Sequence, residues 1–250
     1  GCWDRTTEAH VALEANGQIT GWRFSRGWAN RQKVFFAAEC SKPIDSLTYH
    51  GRDSLYARLH FSTHEDEQVL LKVALSAVSI DGAKEALQTE AITWDIDAVA
   101  HEAATAWNAE LSRIQITGGT EVQRRTFYTA LYHVMTAPAL FSDCNGDYRG
   151  ADGEIYNSST PTYTIFSLWD TYRAKMPLFS LIDTERMSHF VNSMLNICDQ
   201  QGKLPVWHLW GCETNCMVGN PAIPVVADAI VKRIPNVDYE RAFKAIETTT

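Results

Sequence analysis

The spacing of hydrophobic and polar positions changes near residue 95. Before that point, short runs rich in β-branched and aromatic residues are separated by turn signals such as Asn16-Gly17 and Lys42-Pro43. Such runs predict β-strands, and several short strands at this spacing are typical of a β-sandwich. The predicted strands lie within residues 21–24, 33–38, 56–61 and 69–79.

After residue 95, apolar residues recur with the period of an α-helix. Long polar and aromatic loops join the successive helices, which favours an α/α barrel or toroid with a site built from loops at one end. In the first predicted helix Asp97 is the cap, and the apolar face carries Val99, Ala103, Ala106, Trp107 and Leu111. The other predicted helices follow Thr120, run from Asp183 or Thr184 to Gly202, contain Pro224 in the first turn, and follow Asp238.

Composition narrows the class of protein. Hydrophobic residues make up 45% and charged residues 21% of the 250 residues, which is typical of a folded globular chain. The net charge is -8 and basic residues do not cluster, which disfavours nucleic-acid binding. We expect no membrane-spanning segment, because no apolar run approaches the roughly 18 residues required. The 6 cysteines are scattered and complete no zinc pattern with histidine.

The most informative segment spans residues 166–220. Indole faces beside carboxylates, amides and a guanidinium suit a ligand that is apolar on its faces and hydroxylated on its edges, as a sugar is. The alternative is a helical core in which tryptophans pack beside capping residues. The segment contains Trp169, Asp170, Arg173, Trp207, His208, Trp210, Glu213 and Asn215.

Two carboxylates in this segment have both a functional and a structural interpretation. Asp170 either binds sugar hydroxyls beside a Trp169 platform or forms a helical ion pair with Arg173, three residues on. Glu213 is the best catalytic candidate, because glycosidic cleavage needs an acid and neighbouring tryptophans can raise a carboxyl pKa by desolvation. Alternatively, Glu213 stabilises the turn at Gly211.

A second acidic segment, residues 141–157, begins with a D-x-N-x-D pattern. Oxygen ligands at alternate positions suit calcium, and Glu154 is the twelfth residue counted from Asp143. Gly146 does not fit the EF-hand pattern, however, and the Asn-Gly and Asp-Gly pairs are explained by turn formation.

Several long sequence motifs occur in the order typical of one enzyme family. They include residues 127–133 and 141–150, and the segments Phe166 to Ala174, Gly211 to Met217 and Gly219 to Val225. The chain resembles glycoside hydrolase family 92, the calcium-dependent exo-acting α-mannosidases. The resemblance covers most of residues 70–250.

The resemblance implies an α+β multidomain architecture. Residues 1–94 are then part of an N-terminal β-sandwich, 95–119 a helical linker, and 120–250 the N-terminal part of an (α/α)6 catalytic barrel. The absence of an initiator Met and the unfinished helical pattern at Thr250 lead us to expect a fragment of a longer protein.

The resemblance also implies roles for individual residues. Glu213 is expected to be the general acid of an inverting reaction, and the separate base and most metal ligands are expected beyond Thr250. A calcium ion is expected to bind two vicinal mannose hydroxyls, with Asn215 as one ligand. The residues expected to bind the terminal mannose are Asp143, Trp169, Asp170, Arg173, Trp207 and His208.

The expected substrate is a mannose-containing glycan, and the expected location, from the family alone, is secreted, periplasmic or cell-surface. Two alternatives stay open: another (α/α)6-barrel glycosidase and a carbohydrate-binding protein without catalytic activity. Because the fragment is expected to lack the base, it is expected to be inactive alone. The sequence does not specify the oligomeric state.

Overall fold

The computed structural model describes residues 4–50 and 56–250, without the side chain of His50. Cys2 lies outside the described residues. The architecture is mixed α+β, with an antiparallel sheet followed by helices.

A four-stranded antiparallel sheet forms the N-terminal part of the chain. Its strands follow the order β1-β2-β3-β6, and β4 and β5 form a separate hairpin. One sheet face buries Val11, Ile19 and Ala38, and Leu59 of the separate hairpin packs against them. The strand predictions are therefore confirmed in this part. The bounds are β1 Asp4–Leu13, β2 Ile19–Gly27, β3 Gln32–Cys40, β4 Ser46–His50, β5 Tyr56–His60 and β6 Leu71–Ser76.

Helices begin earlier than the spacing of apolar residues predicted. Helix α1 spans Ile80–Glu90, and Ser79 caps it by accepting from the Gly82 N–H. The helix packs on the second face of the sheet, where Ala83 and Leu87 contact Ala37. Its buried residues are Gly82, Ala83, Ala86 and Leu87, so small side chains allow the helix to approach the sheet closely.

The next two helices are largely exposed. Helix α2 spans Ile96–Leu111, and its cap is Asp95, not Asp97 as predicted, because the Asp95 side chain accepts from the Asp97 and Ala98 N–H groups. None of the α2 residues is buried, so the predicted apolar face is correct in spacing but packs little. Helix α3 spans Glu121–Met135 and begins with the predicted Thr120 cap.

The main core lies around a long central helix. This helix, α6, spans Thr184–Gln201, and Gly202 ends it in the left-handed conformation at φ 83°, as predicted. Phe166, Phe179 and Phe190 are at most 1% exposed and pack against one another in edge-to-face pairs. The helices of this part are α4 Leu168–Thr171, α5 Lys175–Ile182, α6 Thr184–Gln201, α7 Ala222–Val231 and α8 Tyr239–Thr249.

Short strands connect these helices and build the loops above the core. They are β7 Ala139–Leu140, β8 Asp147–Arg149, β9 Ile155–Asn157, β10 Tyr163–Thr164, β11 Phe166–Ser167, β12 Trp207–Leu209 and β13 Cys212–Glu213. Among the described residues, no helix combines the length and apolar character required to cross a membrane.

Candidate active site

The sheet β11-β12-β13 brings together the two most informative parts of the sequence. Ser167 pairs with Trp207, Phe166 with His208, and His208 with Glu213. The segment that leads into Trp169 therefore lies beside the hairpin that carries Glu213, although helices α5 and α6 separate them along the chain.

The turn of the β12–β13 hairpin has an unusual backbone. Trp210 has φ 51° and Gly211 has φ 74°, and beyond the hairpin Asn215 has φ 50°. A left-handed tryptophan is uncommon, and such residues cluster at functional sites. A Cβ on Gly211 would lie 3.3 Å from the Arg149 carbonyl oxygen, so the glycine permits this close approach.

The Glu213 carboxylate accepts three backbone N–H bonds. Its Oε1 accepts from Trp207 at 3.0 Å and Asn215 at 2.7 Å, and its Oε2 accepts from Val206 at 2.8 Å. Glu213 thus stabilises the open end of its own hairpin, and not the turn at Gly211 that the structural interpretation named. Each carboxylate oxygen can accept about two such bonds, so Oε2 keeps one free position.

A tryptophan from the N-terminal sheet packs on the hairpin that carries Glu213. Trp28, between β2 and β3, packs on Trp207 with ring centroids 4.6 Å apart. Trp207 is 8% exposed and Trp28 44% exposed, so Trp28 presents the free indole surface. Trp28 was not predicted as a site residue, because no local sequence pattern links the β2–β3 hairpin tip to Trp207, which lies far along the chain.

Arg31 holds the same hairpin tip on the loop between β8 and β9. Its guanidinium donates to the carbonyl oxygens of Asp152 and Ala151 at 2.8 and 2.7 Å. The Cys212 thiol donates to the Arg31 carbonyl oxygen at 3.2 Å. Arg31 therefore contacts both the β8–β9 loop and the hairpin that carries Glu213. No sequence pattern had selected Arg31 as a site residue.

Trp169, Asp170 and Arg173 lie together at helix α4. The Arg173 guanidinium lies over the Trp169 ring at 5.2 Å and the Tyr172 ring at 5.3 Å. Asp170 accepts from the Ser167 hydroxyl at 2.5 Å, and among the described residues no ion pair joins it to Arg173. Both charged groups are exposed and available to a ligand.

His208 lies beneath this surface and is 2% exposed. Its Nδ1 is 3.2 Å from the Thr164 hydroxyl, and its buried Nε2 has no hydrogen-bond partner among the described residues. Burial lowers the pKa of His208 to about 4, against a smaller opposing effect of the Glu213 charge. His208 is therefore neutral near pH 7.

Asp143 lies at the junction between the sheet and the helical part. It accepts from the Ser76 hydroxyl at 2.6 Å, and burial raises its pKa despite that bond. Together with Trp210, Phe141 and Leu75 it lines a cavity of about 250 Å³. Asp143 is thus near Trp210, at the turn end of the hairpin.

Two side chains considered as calcium ligands, those of Asn215 and Asp147, make other contacts in this structure. No group of three or more His, Cys, Asp or Glu side chains in this part of the chain could hold a metal ion. The Asn215 amide oxygen accepts from the Lys203 ammonium at 2.8 Å, so a cation already occupies that position. In the 141–157 loop, both Asp147 oxygens accept from asparagine amides, as expected for turn formation.

Comparison with known proteins places the chain in a family. Residues 82–250 match the glycosyl hydrolase family 92 catalytic domain, and residues 2–76 match the family 92 N-terminal domain. The chain belongs to glycoside hydrolase family 92. The resemblance identified from the sequence is confirmed.

Solved structures of family 92 proteins share this fold. An α-mannosidase of the family from Bacteroides thetaiotaomicron is 34% identical, with a TM-score of 0.91 over 96% of this chain and 35% of its own. A structure of the same α-mannosidase contains mannoimidazole. A family 92 inverting mannosidase from the same organism is 28% identical, with a TM-score of 0.85 over 95% of this chain and 34% of its own.

A curated relative is an uncharacterized secreted glycosidase of Arthroderma benhamiae, 27% identical over 197 residues. The alignment covers 76% of this chain and 21% of the relative. The chain thus spans about a third of the length of the solved family 92 structures and about a fifth of this relative.

Proposed function

We propose that the complete protein is an exo-acting, inverting α-mannosidase that releases terminal α-linked mannose from glycans. Membership of family 92 supports this, as do the structural neighbours named α-mannosidase and inverting mannosidase. The observation that carries the proposal is the Glu213 carboxylate bonded to the Trp207 N–H, since the Trp207 ring packs on Trp28, whose exposed indole is available to a sugar face. The N-terminal β-sandwich and (α/α)6 barrel of the complete protein are part of the proposal.

Glu213 is the proposed general acid. An inverting glycosidase needs one carboxylic acid at the departing oxygen and a second carboxylate, roughly 6.5–9.5 Å away, to activate water. Oε1 of Glu213 accepts two N–H bonds, whereas Oε2 accepts one. We assign the transferable proton to Oε2, because it alone has a free position while the hairpin bonds stay intact.

The remaining candidates divide into residues that contact mannose and residues that support the site. Exposed Asp170 and Arg173 suit hydrogen bonds to sugar hydroxyls, and Trp28 and Trp169 supply apolar faces. Trp207 and His208 are buried and act by supporting Trp28 and the β12 strand. Asp143 is proposed to bind the sugar from the cavity that it shares with Trp210.

Calcium dependence is proposed from the resemblance alone. The Asn215 amide oxygen accepts from the Lys203 ammonium, whose charge disfavours a second cation beside it, so we derive no step of the reaction through the ion. A secreted, periplasmic or cell-surface location is likewise proposed, with support from the name of the secreted relative.

Replacing Glu213 by Gln tests the proposal. In the complete enzyme, Glu213→Gln should lower kcat for α-mannobiose by roughly 10²–10⁴-fold, because the side chain no longer carries a transferable proton. Glutamine can still accept the Trp207 and Asn215 bonds, so circular dichroism should show an unchanged fold. Glu240→Gln, at an exposed carboxylate in helix α8, is the matched control.

The outcomes separate the alternatives. Near-normal turnover by Glu213→Gln would contradict the acid assignment. If the wild-type protein bound mannose without releasing any product from mannosides, the carbohydrate-binding alternative would replace the enzyme proposal.

A further inference from the structure

The tip of the β2–β3 hairpin, residues 28–31, contacts the Glu213 hairpin at two points. Trp28 packs on Trp207, whose backbone N–H donates to Glu213 Oε1. The Arg31 carbonyl oxygen accepts from the thiol of Cys212, the residue before Glu213. The first contact therefore reaches the Glu213 carboxylate through one hydrogen bond, and the second reaches Glu213 through the neighbouring residue.

The Arg31 side chain fixes this tip. Its two terminal nitrogens donate to the adjacent carbonyl oxygens of Ala151 and Asp152. A planar guanidinium that binds two acceptors sets orientation as well as distance. The turn that Arg31 binds, residues 151–153, is itself held in place, since the Ala151 N–H donates to the Gln200 side chain of helix α6 at 3.0 Å.

The close approach depends on a glycine. A Cβ on Gly153 would lie 2.6 Å from the nearer Arg31 nitrogen, and its φ of 96° also favours glycine. The absence of a side chain at Gly153 therefore allows the Arg31 guanidinium to lie against the 151–153 turn.

We propose that Arg31 is a positioning residue for the acid step. By fixing the hairpin tip on the 151–153 turn, it holds Trp28 and its own carbonyl against the Glu213 hairpin, and so sets the orientation of the Glu213 carboxyl. Arg31 does not touch the sugar. The inference rests on the proposed function, in which Glu213 protonates the departing oxygen.

Two substrates of the complete enzyme separate positioning from a general structural role. The leaving alkoxide of α-mannobiose needs a proton, whereas the leaving group of 2,4-dinitrophenyl α-mannoside is stable as an anion. Arg31→Met should lower kcat for α-mannobiose roughly 10–100-fold and for the aryl mannoside less than about threefold, because misorientation affects only the step that needs the acid. Arg31→Lys, which keeps the charge but not the paired geometry, should recover part of the loss.

Arg23→Met is the matched control. Arg23 is an exposed arginine of the same hairpin, but it pairs with Asp4 at 2.8 Å, away from the site. Its substitution should leave both kcat values unchanged.

A second readout does not depend on catalysis. Cys212 is 3% exposed, and its thiol is bonded to the hairpin tip. Arg31→Met should raise its rate of alkylation by N-ethylmaleimide about tenfold, because loss of two hydrogen bonds favours local opening. Peptide mass mapping reads the site, and exposed Cys144 is the internal reference.

Each outcome has one meaning. Equal losses of kcat on both substrates, or unchanged labelling of Cys212, would overturn the positioning role. A wild-type enzyme that hydrolyses neither substrate would overturn the proposed function, while Cys212 labelling would still show whether Arg31 fixes the tip.

Discussion

At the residue scale, Glu213 stabilises its own hairpin and is also the proposed general acid. Its three N–H bonds stabilise the β12–β13 hairpin, and the free position on Oε2 leaves room for a transferable proton. A proposed acid held in this way has a fixed orientation before substrate arrives, which favours catalysis.

His208 should make stability depend on pH. Its pKa is about 4 in the folded protein, below the value near 6.5 expected when unfolded, so only the unfolded chain takes up a proton between these values. The contribution of His208 is therefore fully present above about pH 6.5 and is lost as pH falls towards 4. The expected loss is on the order of 3 kcal/mol.

Urea unfolding of the complete protein across this pH range measures the effect. His208→Gln should reduce the pH dependence, whereas His101→Gln, at an exposed position of α2, should not. An unchanged pH dependence in His208→Gln would show that another group is responsible.

At the element scale, Asp183 joins helices α5 and α6 and, through two arginines, helix α2. It ends α5 and caps α6 by accepting from the Arg186 N–H at 3.1 Å. Its buried Oδ2 lies 3.3 Å from nitrogens of both Arg113 and Arg186, as ion pairs without the alignment of a hydrogen bond. Glu110 of α2 binds the same two arginines. This four-charge network attaches the exposed helix α2 to the core.

Asp183→Ala should lower the free energy of unfolding by about 2–3 kcal/mol, from loss of the cap and of a buried partner for two arginines. Asp183→Asn should cost less, because an amide oxygen can still cap the helix. Asp95→Ala, which removes only the cap of α2, should cost about 1 kcal/mol. Equal effects of the two alanine substitutions would contradict a role for the ion pairs.

At the scale of the whole molecule, the sheet and the helical part hold each other by reciprocal bonds. Arg31 of the sheet donates to carbonyls of the 151–152 turn, and Arg149 of that region donates to the Ala77 and Val78 carbonyls after β6. The Ser76–Asp143 bond lies at the same junction. The proposed site therefore depends on both parts of the chain.

Calcium dependence is a prediction about the complete enzyme. EDTA should abolish hydrolysis of α-mannobiose, and calcium should restore it. Activity that is unaffected by EDTA after dialysis would remove calcium from the proposal. Magnesium, which demands a smaller octahedral site, is the control cation.

The sequence was most informative where a local rule decides the structure. Thr120, Asp183, Gly202 and Asp238 begin or end helices as predicted, because capping involves groups within one turn. Asp97 was wrong because the helix begins earlier in the chain, where the Asp95 side chain accepts from the Asp97 and Ala98 N–H groups. The start of α1 was missed because its first turn contains Asp81-Gly82, a pair that is typical of turns between strands.

The sequence by itself determined four of the N-terminal strands, several helix ends, the family, and the residues around Glu213 that suit sugar chemistry. Only the tertiary structure decided that Trp28 and Arg31 join them, that His208 is buried, and that Lys203 occupies the Asn215 oxygen. The reason is physical: secondary structure depends on neighbours within a few residues, whereas burial and contacts between distant loops depend on how the whole chain packs.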